Sequence, residues 1–480
     1  MTIETWVPAL LGYLMPVGLF LLAWGGIKPA RARRSATIGS LALALGTLGY
    51  FTVGFAFHLG GAGLMRDHPG LAGLTRLFAG EGGIAWGLIG LAGFFLAGDE
   101  ATPEVYTLFF VYLPMVVSTV LLTVLSVSGR ARGWQVVVGA LLIAGILFPL
   151  TACWAWGGGW LANLGITLER GHGFVDHSGS GVVYLLGGFA ALGAVMGLGR
   201  RLPSGAAQNS RVDSVADMPP AHFPLLANLG ALLFGLGWLA WSLSPPFHAL
   251  DAQLDLARIA VNGLLAGAGS ILACQTYCWF TTGRTDALMS ARGTAAGFIA
   301  VSAGAPFMPP WAALVVGTVA GFLLPLGVYV IEQVLRLPDA TATIALGITA
   351  GTWGLLAVAL FADGRAGQGW NGVGLTEYRT VVGQGVTGFL AADGFIGDGQ
   401  GQLIAQLAGL GALAVPAWLV TWLTCFAMSL PYRHIGEKKE ASEGRRGWLR
   451  GIGLLRETLT SRRESEVERD SVHGGSVDET

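Results

Sequence analysis

Apolar runs long enough to cross a bilayer recur along this chain from residue 6 to residue 430, and no other feature restricts its fold so strongly. A helix needs about 20 predominantly apolar residues to traverse about 30 Å of hydrocarbon. In lipid every backbone N–H and C=O must find its partner inside the protein, which makes each run a helix. Spans are predicted at 6–27, 37–60, 104–128, 134–163, 178–199, 222–245, 256–280, 289–304, 308–334, 340–362 and 402–430. The apolar segment 84–97 is short and interrupted by glycines, and is read as a loop helix rather than a crossing. Composition agrees: 53% of residues are hydrophobic and 12% charged, against about 25% charged in a soluble domain. The start, MTIETW, lacks the basic segment of a cleaved signal peptide, so the first run is read as a mature span. The fold class expected is an all-α polytopic membrane protein of eleven transmembrane helices.

An odd number of crossings places the termini on opposite faces, and charge decides which face is which. Lys28, Arg31, Arg33, Arg34, Arg130, Arg132, Arg200, Arg201, Arg211, Arg284, Arg292 and Arg336 fall on the side shared with the C-terminus. The opposite loops carry Arg66, Arg76, Arg170, Arg258, Arg365 and Arg379. The positive-inside bias therefore puts the C-terminus in the cytoplasm and the N-terminus outside. Two regions are expected, a transmembrane domain over 1–430 and a charged cytoplasmic tail over 431–480. Within the tail, GWLRGIGLLRETL (447–459) has the composition of a short surface-lying amphipathic helix. GVVYLLGGFAALGAVMGLG (181–199) and TIALGITAGTWGLLAVALF (343–361) share a β-branched start, an early glycine cluster and an apolar finish. They occupy the fifth and tenth spans, as an inverted five-plus-five repeat with one extra C-terminal helix would require, and such repeats hold a substrate path at their interface.

The most unusual stretch is Cys153 to Arg201. WGGGW (156–160) sets three glycines between two tryptophans, and a polar hairpin follows with Glu169, Arg170, His172, Asp176 and His177. Each glycine weakens a helix by roughly 1 kcal/mol relative to alanine. Such a run suits a place where backbones approach closely or a cavity meets a helix end. His172 and His177 flank Asp176 and are a candidate metal pair, with solvated loop histidines as the alternative. Cys274 and Cys278 lie one turn apart, but no third ligand is evident and packing is favoured. His58, His68, His222, His248 and His434 show no ligand spacing, and no Walker loop, nucleophile elbow or HExxH occurs, so no enzyme and no cofactor is expected. No nucleic-acid partner is expected either; the lipid bilayer is the surrounding partner.

These pieces, in order, resemble the ammonium transporter (Amt/Mep/Rh) family. LMPVGLFLLAWGGIKPAR resembles its opening helix and basic exit, and GYFTVGFAFHLGG the segment leading into the outer loop. WGGGWLA, VDHSGSGVVY, PPAHFPL, GLGWLAW, AVNGLLAGAGS and GTAAGFIAVSAGAPFMPPWAALVVGTVAG resemble successive later motifs. The resemblance implies an eleven-helix protomer in the plasma membrane, a homotrimer, and a narrow hydrophobic pore whose outer site takes ammonium by cation–π contact and hydrogen bonding. Trp156 matches the family's vestibule tryptophan, with a place in the interfacial aromatic belt as the alternative. Asp176 matches the aspartate behind that site, and as the first polar residue of a span it is equally suited to cap free N–H groups.

Several positions depart from the family pattern. The two phenylalanines that gate the family pore align with Met115 and Trp241, and the ammonium-holding serine aligns with Pro245. The paired pore histidines align with Tyr184 and Leu346. A phenol with an ordinary pKa near 10 is a poor proton carrier, and leucine carries none. RHIGEKKE (433–440) departs from the family's tail, so control by a PII-type regulator is not expected. The leading expectation is an ammonium/ammonia permease whose mechanism is altered by loss of the histidine pair. The alternatives are a non-conducting ammonium sensor or partner subunit, and a channel for another small solute.

Overall fold

The computed structural model describes residues 3–27, 29–65, 69–199, 222–244 and 252–432. Pro245, the tail segments 433–440 and 447–459, and the basic residues Arg200, Arg201 and Arg211 therefore lie outside the described residues. The described residues up to Phe426 form one compact unit.

Among the described residues ten helices are long and apolar enough to cross a membrane: Trp6–Trp24, Ala32–Met65, Pro103–Ser126, Gly133–Ala155, Ser180–Leu198, Pro224–Leu243, Leu256–Thr282, Pro310–Val334, Thr343–Phe361 and Gly399–Tyr432. The remaining predicted span, 289–304, is the shorter apolar helix Ala287–Val301. Its α-helix ends at Val301, and the chain continues through buried turns over 302–307. Their backbone groups are met by the loop before the fifth span: Ser178 N–H donates to Ser302 C=O (2.9 Å), and Ser180 Oγ accepts from Ala303 N–H (2.8 Å). Irregular backbone is tolerated at membrane depth only where protein surrounds it in this way.

Residues 84–97 do not form the predicted loop helix. They hold a strand, Gly87–Gly90, paired antiparallel with Leu77–Ala79, between two single 3₁₀ turns. Gly83 (φ 77°) and Gly93 (φ 85°) take left-handed backbone that a helix cannot use. The fourth span ends at Ala155, eight residues before the predicted limit, because the glycine run breaks it; Gly158 has φ 81°.

The spans pack through small residues. A Cβ on Gly18 of the first span would stand 2.4 Å from Gly230 C=O and from Phe234 N of the sixth. A Cβ on Gly347 of the tenth would stand 2.4 Å from Tyr184 C=O of the fifth. Lipid supplies no hydrophobic drive between helices, so close backbone approach and van der Waals contact hold them together. The first and fifth spans thus meet the sixth and tenth, the partners an internal repeat would pair. Equivalence extends to devices that the sequence echo did not include. Asp176 caps the fifth span, accepting from Gly179, Gly181 and Val182 N–H at 2.9 Å each. Asp339 does the same for the tenth, accepting from Ala345 (2.8 Å) and Ile344 (3.3 Å). Both spans then run through a π-helical turn, Ser180–Leu185 and Leu346–Ala350, a local widening that is frequent at functional sites.

Candidate functional site

The glycine break after the fourth span leaves Trp156 at the helix end, where its ring is positioned from outside its own helix. Its indole N–H donates to the backbone C=O of Asp176 (2.7 Å), while the Asp176 carboxylate holds the first turn of the fifth span. One residue therefore fixes both the fifth helix and the tryptophan. Burial pushes the Asp176 carboxyl up to about 6, opposed by the N–H groups around it, which favour the anion.

Three rings meet at this point. Trp156 lies 5.8 Å from Tyr112 and 6.3 Å from Trp241 between centroids, and Tyr112 lies 6.2 Å from Trp241. Trp241 N–H donates to Val111 C=O (2.8 Å). Both indole N–H groups thus point to backbone carbonyls. Phe148 (6.4 Å from Trp156) and His58 (4.9 Å from Tyr112) complete the cluster. All of these side chains are buried; Trp156 is 2% exposed and Trp241 0%.

A second level lies seven residues along the sixth span, about 10 Å at helical rise. There the Tyr184 ring meets Phe234 edge-on (5.8 Å), and its hydroxyl donates weakly to the Met15 sulfur (3.8 Å). Leu346 is buried on the tenth span beside the close approach of Gly347 to Tyr184 C=O. Met115 is buried one turn from Tyr112 on the third span. The structure thus brings Trp156 and Trp241 together with Tyr112, and sets Tyr184 and Leu346 at the crossing of the fifth and tenth spans.

The other candidates separate. His172 packs against Tyr378 (4.4 Å between ring centroids), while His177 Nε2 lies 3.2 Å from Ser242 C=O. No group of three potential metal ligands exists among the described residues. Burial lowers His172 to about 3 and His177 to about 4. Cys274 donates to Gly321 C=O (3.1 Å), a packing contact. Sequence reasoning missed Tyr112 and His58. For His58 a signal existed: an ionisable residue inside an apolar span is a site candidate by default, and metal spacing was the wrong criterion for it. Tyr112 sits in FFVYLPM, where nothing sets it apart from its apolar neighbours.

The model of the Ammonium Transporter Family matches residues 5–443. The chain belongs to the ammonium transporter family. That is a family of transporters and channels rather than enzymes. Among relatives, the chain is 31% identical over 328 residues to ammonium transporter Amt2 of Archaeoglobus fulgidus, covering 68% of this chain and 63% of that one. It is 27% identical over 323 residues to a putative ammonium transporter of Synechocystis, covering 66% of each. The chain thus spans about two thirds of the length of the curated relatives it matches. Its fold is that of a solved Sensor Amt Protein (TM-score 0.67, 20% identity, 88% of this chain and 92% of that one). It is also that of Mep2 from Candida albicans (TM-score 0.68, 20% identity, 90% and 84%).

Proposed function

We propose that this chain moves ammonium or ammonia across a membrane, with the ring cluster of Trp156, Tyr112 and Trp241 as the outer binding site. The observation that carries the reading is the anchoring of Trp156 by Asp176, which commits its N–H to a backbone carbonyl and leaves its ring packed against the other two. A cation that sheds water on entry regains roughly 2 kcal/mol from a desolvated ring face. Deeper, the Tyr184–Phe234–Leu346 level offers one phenol and otherwise hydrocarbon. A bare cation is expensive there, so ammonia is the form expected to pass, with its proton returned to the outer solution. Met115, buried on the third span, belongs to the same constriction in this reading. The protein is taken as a homotrimer in the plasma membrane with its tail in the cytoplasm, and PII-type control is not expected.

A second reading, a non-conducting ammonium sensor, is favoured by one observation: Tyr184 and Leu346 provide no chain of titratable groups at the level where a relay would run. Proteoliposomes separate the two. Stopped-flow pH changes and ammonium-induced currents above those of empty liposomes support the permease. Absence of both, with ammonium still binding, leaves the sensor.

A further inference from the structure

His58 enters none of the roles above, yet it is placed against the outer site. It sits on the second span, fully buried, 4.9 Å from Tyr112, 6.0 Å from Phe148 and 6.4 Å from Trp156 between ring centroids. Its Nδ1 is 2.9 Å from the Tyr50 hydroxyl. Its Nε2 is buried with no hydrogen-bond partner among the described residues. A buried polar atom left unpaired is costly, so an orphan beside three aromatic rings calls for an explanation.

Chemistry supplies one. The centroids of Trp156, Tyr112 and Trp241 stand 5.8, 6.2 and 6.3 Å apart. A cation near the centre of that triangle therefore has all three centroids within the roughly 6 Å reach of cation–π attraction. Such attraction depends on charge and size, in which ammonium and potassium are nearly alike. What distinguishes them is that ammonium has N–H bonds to donate and potassium has none. Discrimination requires an acceptor at the rings; both indoles offer only donors, already directed to Asp176 and Val111 carbonyls, and beside the Tyr112 hydroxyl the His58 Nε2 is a buried acceptor with no partner among the described residues.

We infer that His58 Nε2 is the hydrogen-bond acceptor that lets the Trp156–Tyr112–Trp241 site take ammonium in preference to potassium. The tautomer required carries its proton on Nδ1 and donates it to Tyr50 Oη, leaving the Nε2 lone pair for the ligand. This rests on the proposed location of the outer site but not on conduction, so the test is one of binding.

Purified full-length protein in detergent is titrated with ammonium chloride and with potassium chloride, read by intrinsic tryptophan fluorescence. The wild type is expected to prefer ammonium by at least tenfold. In His58→Phe, which fills the space and keeps an aromatic ring, the preference should fall to within about twofold while potassium affinity holds. His58→Gln, which retains an acceptor oxygen, should recover part of it. Should His58→Phe misfold, His58→Ala gives the same comparison. A folded His58→Phe or His58→Ala protein that keeps the wild-type preference overturns the inference, as does a wild type without preference. Trp156→Ala tests the site itself: if it leaves ammonium binding unchanged, the outer-site reading fails, whatever His58 does.

Discussion

Asp176 offers the sharpest test of how this site is built, because its carboxylate meets only backbone N–H groups in the contacts described: Gly179, Gly181 and Val182, each at 2.9 Å. Asp176→Asn keeps one oxygen. With that oxygen toward Gly181 and Val182, the new NH₂ faces the Gly179 N–H, donor against donor, and an orphaned buried N–H costs about 1–3 kcal/mol. The two surviving bonds drop from the charge-assisted range to about 1 kcal/mol each. Relief of the buried charge offsets part of this, since burial already pushes the carboxyl up to about 6. The net expectation is a loss of about 2 kcal/mol for Asn. Asp176→Ala, which orphans all three N–H groups, should lose about 4 kcal/mol or more. Fluorescence-detected size-exclusion melts in detergent should rank wild type above Asn above Ala. Because Trp156 bonds to the Asp176 carbonyl, both variants should also shift tryptophan emission. Equal melting of all three proteins would refute the capping argument. An Asn variant with native melting and emission that no longer binds ammonium would instead make Asp176 a direct electrostatic partner of the cation.

Leu346→Trp should abolish flux if the path runs past Tyr184; unchanged proteoliposome transport would place it elsewhere. Gly347→Val forces a Cβ to within 2.4 Å of Tyr184 C=O, and overpacking of this kind costs about 1–3 kcal/mol or more, read as lower melting temperature and yield of folded protein. Acid and base act in opposite directions on stability. His172 and His177 are lowered by burial to about 3 and about 4; the unfolded chain binds their protons first, so stability falls as pH drops below about 6.5. Asp339 is raised by burial to about 7; there the native state binds the proton first, so stability falls as pH rises from about 4 toward 7. Melts across pH 4–8 should therefore show His172→Asn reducing the acid loss and Asp339→Asn reducing the loss on the alkaline side. Unaltered slopes in these variants would refute the assignments.

Number and length of apolar runs were enough to state a polytopic helical membrane protein, because hydrocarbon thickness and backbone satisfaction leave a sequence of this kind one kind of answer. Trp156, Asp176, Tyr184 and the tenth-span Leu346 were singled out through the resemblance to the family, and the structure sets Trp156 against the Asp176 backbone. The segment 84–97 was misjudged because its apolar residues serve a hairpin whose glycines accommodate neighbouring backbone; a Cβ on Gly90 would stand 2.4 Å from Ala56 C=O. The echo between 181–199 and 343–361 pointed to a correspondence of the fifth and tenth spans. Only the tertiary structure decided which side chains from different spans share a space. Tyr112 and His58 meet Trp156 from the third and second spans, and a hydrogen bond from the Trp156 indole to the Asp176 carbonyl fixes that ring between them. Those placements depend on contacts between residues tens to more than a hundred positions apart, and no local periodicity encodes them.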